Sequence, residues 1–405
     1  MVSQTSVGID IAKEFHWVSV TVPDPVTGKA VEVLSRRVGN DPDDIAAVIE
    51  QIQSIGAEHG PVTVGIDVLG GIARLVEVML LQVGLDLVHV PGLAVKTARR
   101  ATRGGEHKSD PRDARVIADL VRARDDLRRI TAASDADVTL GLLVGRRREL
   151  VVDQTRRIGR LRDLLCSVHP GLERVVDPTH KMSLVLLSRY VTPAEIRRAG
   201  PVRITTYLLR NGRHHRTVVD RLVNAALTAA QGLRITVPGE QTAAAIVKDL
   251  AGEALQARDK IGQLDTQIAG LLHQHPDAAL VRSLPGMGAT LTAEFLAAAG
   301  GITRFTSADQ LASAAGLAPA LQQSGKVRYL QRATSGDRTL KMIFYQAAFC
   351  ALQRDPASRT YYDRKRREGK THHQAVIALA RRRVNVLHAI LRTRQPYRHQ
   401  PSLAA

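Results

Sequence analysis

Residues 5–13, Thr-Ser-Val-Gly-Ile-Asp-Ile-Ala-Lys, decide the fold of the first third of the chain. Val7, Ile9 and Ile11 are strand formers, and Asp10 stands between two of them. A carboxylate inside a sheet is costly unless it is paired, protonated or bound to a cation. Working outward, residues 17–22 and 31–38 read as two further strands, separated by the turn residues Pro23, Pro25 and Gly28. Residues 41–55 read as a helix with acids in its first turn. Residues 62–68 form a mostly apolar strand that again carries an acid, Asp67. A largely apolar helix (72–83), a strand (85–90), a short basic helix (94–101) and a helix opened by Pro111 and running to about Arg124 follow. Hairpin-joined strands followed by alternating helices and strands predict a layered α/β domain over residues 1–130.

Two acids in two separate strands need a common explanation. Lys108-Ser109-Asp110-Pro111-Arg112-Asp113-Ala114 supplies two more. Asp110 suits a helix N-cap, Pro111 the first helical position, and Asp113 falls within the first turn, facing the same way. Plain capping explains Asp110 and Asp113 taken alone. Asp10 and Asp67 taken alone read equally as strand-end acids. Together, the four have the layout of an RNase H-like (RuvC-like) domain, in which acids hold a divalent metal against a phosphate. Hard oxygen donors with few protein contacts suit Mg²⁺, with Mn²⁺ as a substitute.

Residues 131–276 look helical throughout. Val247, Leu250, Ala254, Ala257, Ile261, Leu264, Ile268 and Leu271 form a coiled-coil seam. A weaker seam, Leu140 to Leu165, is interrupted by Arg147 and Gln154. The two pair within one chain or between chains. Prolines and glycines between about 166 and 240 mark a small helical insert. Residues 277–405 open a third, mostly helical region. There Leu284-Pro285-Gly286-Met287-Gly288 resembles a helix-hairpin-helix turn, and Gly286 and Gly288 offer a phosphate seat. An ordinary glycine-rich connection gives the same pattern.

The formal charge of +18 over 405 residues points to a polyanion, with a solvated basic surface as the plain alternative. From Arg354 to Arg398 the net charge is +10, and it includes Arg364-Lys365-Arg366-Arg367 and Arg381-Arg382-Arg383. Apolar residues at helical spacing from Val376 to Leu391 make this a folded, basic-faced helix. Two cysteines, Cys166 and Cys350, exclude a disulfide framework and a cysteine zinc site. The adjacent pairs His214-His215 and His372-His373 face solvent or nucleic acid rather than a metal. No phosphate-loop or dinucleotide fingerprint is complete, so no organic cofactor is expected. Neither a signal peptide nor a membrane span is expected, and a cytoplasmic, nucleoid-associated location follows.

Gly8-Ile9-Asp10-Ile11-Ala12-Lys13, the Lys108–Ala114 segment and a C-terminal block carry a resemblance. The block contains Leu284-Pro285-Gly286, Ala315-Gly316-Leu317-Ala318-Pro319, Ser324-Gly325 and Tyr345-Gln346-Ala347-Ala348. Over nearly the whole chain it resembles the DEDD transposases of the IS-one-ten (IS110) group of insertion sequences. The resemblance implies that Asp10, Asp67, Asp110 and Asp113 are the metal-binding tetrad, with Asp67 where the family usually has Glu. It implies that Ser324 is the nucleophile of a covalent phosphoserine–DNA intermediate. It also implies donor and target DNA, a structured noncoding bridge RNA that guides the choice of both, and a dimer or tetramer built through the coiled coil. Arg99, Arg100, Arg103 and Lys108 near the tetrad, and Gly325, Lys326 and Arg328 beside the serine, are further nucleic-acid candidates. From composition alone Ser324 reads as a turn serine in an exposed polar loop, and no histidine triad is evident to activate it. Three other readings stay open. They are a RuvC-type endonuclease that uses activated water, a sugar-kinase-like phosphotransferase lacking its second glycine-rich loop, and a non-catalytic nucleic-acid-binding protein.

Overall fold

The computed structural model describes residues 5–102, 106–325, 327–331, 333 and 335–398. Two compact units divide at Ala133/Ser134. The first is built on strands β1 (Thr5–Asp10), β2 (Phe15–Pro23), β3 (Ala30–Gly39), β4 (Val62–Ile66), β5 (Asp86–His89) and the short β6 (Arg128–Arg129). Its helices are α1 (Pro42–His59), α2 (Arg74–Gln82), α3 (Gly92–Ala101) and α4 (Asp110–Ala123). Sheet order is β3-β2-β1-β4-β5-β6. The β1-β2-β3 meander is antiparallel, while β1, β4 and β5 are parallel neighbours. This order, with helices on both faces, is that of the RNase H-like fold expected from the acids.

Side-chain alternation explains the two layers. Val7, Ile9, Val64 and Ile66 point into a core closed by Ile45, Ile49 and Ile52 of α1 and by Val76 and Leu80 of α2. On the opposite face Val88, Val90 and Val95 pack with Val116, Ile117 and Val121. Asp41 caps α1 by accepting from the backbone N–H groups of Asp43 and Asp44.

The second unit is almost wholly helical. Long helices α5 (Asp135–Val168) and α10 (Glu240–Gln274) lie antiparallel on each other, so the seam pairs within the chain. Arg147 and Gln154, which interrupt the α5 seam, are satisfied from α10. Arg147 meets Asp265 at 2.5 Å, and Gln154 donates to the Ala254 carbonyl at 3.2 Å. Val247, Ala254, Ala257 and Ile268 are buried, but Leu250, Ile261, Leu264 and Leu271 are only half-buried. Between the long helices, α6 (Pro170–Val175), α7 (Lys181–Leu187), α8 (Pro193–Arg210, bent at Gly200-Pro201) and α9 (Arg216–Gly232) close a second core with Leu161 and Leu165 of α5 and Val247 and Ala251 of α10.

The last part of this unit comprises α11 (Ala278–Ser283), α12 (Ala289–Ala299), α13 (Ala308–Ala314), the hairpin β7 (Ala320–Ser324)–β8 (Val327–Gln331), α14 (Arg338–Ala351), α15 (Pro356–Arg367) and α16 (His372–Thr393). It shares one core with the Leu140/Leu272 end of the long-helix pair. Within it Arg383 departs from the basic face assigned to it. It is 4% exposed, and burial lowers its pKa to about 10. Its guanidinium donates to the Pro285 carbonyl in the α11–α12 turn and, at 3.4 Å, to Ser358, which itself donates to Asp355. Arg383→Leu leaves a buried carboxylate and a carbonyl without their cation. It should lower stability by about 3 kcal/mol, read as a fall in the urea midpoint.

Candidate active site

Asp10 closes β1, and Asp67 follows directly on β4. Ile9 lies opposite Ile66 in the parallel ladder, so both acids leave the sheet at the carboxyl ends of adjacent strands. Open α/β sheets bind their ligands at that edge. Asp67 was expected inside a strand reaching residue 68. The strand stops at Ile66 and spares the acid full burial.

Two glycines bring the other acids to the same edge. Gly8 and Gly65 face each other across the β1–β4 ladder. A Cβ on Gly8 would come closer than 3.0 Å to the Ala114 carbonyl and the Ala118 nitrogen, and one on Gly65 would do the same to the Val121 side chain. Helix α4 therefore crosses the sheet at backbone contact. Gly8 and Asp10 share the face that α4 covers, so the first turn of α4 delivers Asp110 and Asp113 beside Asp10. This glycine pair was missed in the sequence, although a glycine inside a strand pattern is the usual sign of close backbone approach.

The electrostatics report the convergence. Burial, then the charges of Asp67, Asp113 and Asp110, raise the Asp10 carboxyl to about 7, against a pull downward from Lys108. Asp67 is also raised, first by burial, although the backbone N–H of Ile11 donates to it. Its Oδ1 is buried and lacks a hydrogen-bond partner. Asp113, 5% exposed, is held by Arg99 Nη1 at 2.5 and 2.6 Å from its two oxygens. Asp110 is the first residue of α4 and half-buried; Ser109, not Asp110, takes the N-cap position. Among the described residues no three His, Cys, Asp or Glu side chains stand ready around one ion, and Asp113 is turned onto Arg99. The donors nevertheless suit a hard cation: all are carboxylate oxygens, one of them buried without a partner, and like charges crowd Asp10.

Ser324 ends β7 at the tip of an exposed hairpin in the second unit. It pairs with Val327 across the turn, where Gly325 adopts φ +54. Positive φ favours glycine in such two-residue connections. Arg328 is exposed on β8 opposite Gln323. Arg100 and Lys108 are exposed in the first unit, whereas Arg99 is engaged with Asp113. Gly288 is exposed at the start of α12. Gly286 has a packing reason of its own: with φ +85, it lies against the Ala347 carbonyl where a Cβ would clash. Arg103 and Lys326 lie outside the described residues.

Residues 7–170 match a family model described as transposase, and residues 278–363 match one described as the IS116/IS110/IS902 family of transposases. The uncharacterized 42 kDa protein of insertion element IS900 from Mycobacterium paratuberculosis is 40% identical over 401 residues, 98% of each chain. This chain belongs to the IS116/IS110/IS902 family of transposases. The 44.8 kDa protein of insertion element IS116 from Streptomyces clavuligerus is 37% identical to this transposase, over 98% of its chain and 96% of the relative. A solved RuvC from Thermus thermophilus aligns with 31% of this transposase and 99% of its own chain, at 14% identity and a TM-score of 0.24. That likeness is too slight to add to the strand order. Asp10, Asp67, Asp110 and Asp113 fall in the first matched stretch, and Ser324 falls in the second. Among the described residues no helix is long and apolar enough to cross a membrane.

Proposed function

We propose that this transposase cuts and rejoins DNA using Mg²⁺ held by Asp10, Asp67, Asp110 and Asp113, with Ser324 as nucleophile. The carrying observation is the Gly8–Gly65 contact that seats α4 and gathers acidic charge at one sheet edge. Bound there, the metal supplies Lewis-acid polarisation of a phosphoryl oxygen and offsets the charge that builds up on it. Ser324 Oγ bonds to phosphorus as the bond to one sugar oxygen breaks. The serine gives up its proton, and the released sugar oxygen gains one. The reverse attack, by a sugar hydroxyl of the second DNA, frees the serine. Sequence choice on this reading lies with a structured guide RNA that pairs with donor and target DNA, while the protein grips backbones. The charge of +18 and the family resemblance support that division of labour. The transposase works as a homo-oligomer on this reading.

The test is to incubate the protein with Mg²⁺, the RNA encoded beside its gene, and end-labelled DNA, and then denature. Serine attack gives protein-linked label, lost with EDTA and restored by Mg²⁺ or Mn²⁺. Free DNA ends alone would mean hydrolysis by water and would overturn the serine assignment.

Arg99 gives a prediction independent of turnover. Its guanidinium competes with a cation for Asp113, so Arg99→Gln should bind Mn²⁺ about tenfold more tightly in a calorimetric titration. Unchanged or weaker binding would place Asp113 outside the metal site.

A further inference from the structure

This chain has only five Phe, seven Tyr and one Trp, yet several of these rings meet on one open face of the second unit. Met342, Tyr345 and Phe349 stand three and four residues apart on α14 and so share one side of it. Met342 and Phe349 are 41% and 43% exposed. The exposed first residues of α16 complete the patch. His373 lies over Tyr345, with ring centroids 5.1 Å apart and Nδ1 3.3 Å from the tyrosine hydroxyl. His372 packs edge-on to Phe349 at 6.2 Å and to Tyr362 at 5.7 Å, and its Nδ1 meets the Tyr362 hydroxyl at 2.8 Å.

These contacts hold the rings in fixed poses at the surface. Tyr345 and Tyr362 rest partly on the core, while Met342, Phe349, His372 and His373 are exposed beside them, and a contiguous exposed apolar patch marks a binding surface. The neighbouring charge says what kind. Arg359 lies over the Tyr362 ring at 5.9 Å, and on the next side of α15 Tyr361 carries Arg364 and Arg382 within 5.0 and 4.9 Å of its ring. Rings edged by cations fit a polyanion that has flat faces to offer. Paired bases hide those faces in the duplex, while unpaired bases present them.

We propose that the Tyr345–Phe349–His372–His373 face of α14 and α16 is a stacking platform for an unpaired DNA strand. It goes beyond the chemistry of the acids and the serine, and it rests on the transposase reading only for the choice of DNA, since strand exchange passes through unpaired strands. Bases stack on Phe349 and on the Tyr345–His373 pair, and the Tyr361 cations follow the phosphates.

The test uses the full chain and anisotropy titrations with labelled oligo(dT), oligo(U) and a DNA duplex at two salt concentrations, with no metal present. Failure of the chemistry proposed for the acids and the serine therefore leaves the result intact. Tyr345→Ala with Phe349→Ala should weaken oligo(dT) about tenfold or more, change duplex affinity less than twofold and leave the salt slope alone. Phe349→Trp should keep wild-type affinity. Arg382→Ala should weaken both DNAs and lower the salt slope by about one. Because Phe349 is exposed, the single variant Phe349→Ala keeps the test usable if the double variant fails to fold. Three outcomes overturn the proposal: equal loss on duplex and single strand, loss confined to oligo(U), and self-association that disappears with Phe349→Ala while oligo(dT) affinity stays.

Discussion

Ser324→Ala protein should yield no protein-linked DNA, and its recombination should fall by about 10⁴-fold or more. The size of the effect follows from the role assigned to the hydroxyl. A nucleophile that forms the covalent bond has no substitute in its own side chain once the oxygen is gone. Folding should hardly notice the change. Ser324 is exposed at the tip of a two-stranded hairpin, and a surface substitution there shifts stability by less than about 0.5 kcal/mol. The thermal midpoint and the affinity for DNA therefore serve as controls that must stay put. Asp110→Ala should lose the adduct as well, with Ser324 still in place. Recombination that survives Ser324→Ala would remove the serine from the chemistry and leave water or another hydroxyl as attacker.

The hairpin bearing this serine shows where a single sequence stops speaking. Strands of the first domain are legible because runs of Val and Ile have few other uses, and acids among them stand out by their cost. Residues 320–331 carry no such pattern. β7 is exposed along its whole length, so hydrophobic alternation had nothing to mark, and the segment reads as a polar loop. Only Ser-Gly-Lys between two short runs hinted at a turn. Arg383 failed for the opposite reason. It sits in a basic triplet and was counted on the basic face, yet it falls on the buried series Val376, Leu379, Arg383, Leu387 and Ile390. That spacing of three and four was the available signal. Charge outweighed it because buried arginines are rare without partners, and the partners, Pro285 and Ser358, are remote in sequence. The intrachain pairing of α5 with α10 was undecidable in the same sense: a heptad seam fixes which face is covered, not which helix covers it.

Gly8→Ala should be the most damaging one-carbon change in the first unit. The added methyl meets the Ala114 carbonyl and the Ala118 nitrogen, which are backbone atoms of α4 and have no rotamer to escape into. The helix must lift from the sheet, at a cost of about 3 kcal/mol or more. It takes Asp110 and Asp113 with it, and a shift of about 1 Å at a reacting centre lowers rates by about 100-fold. Calorimetric Mn²⁺ binding and the thermal midpoint should fall together. Gly65→Ala is the informative contrast. There the methyl meets side-chain carbons of Val121, Ile117 and Val90, which can move or be cut back. Adding Val121→Ala to Gly65→Ala should therefore recover much of the lost midpoint, whereas no truncation on α4 should rescue Gly8→Ala. If Gly8→Ala binds Mn²⁺ normally and keeps its midpoint, α4 does not rest on the strand backbone, and the link from this glycine to the assembly of the four acids fails.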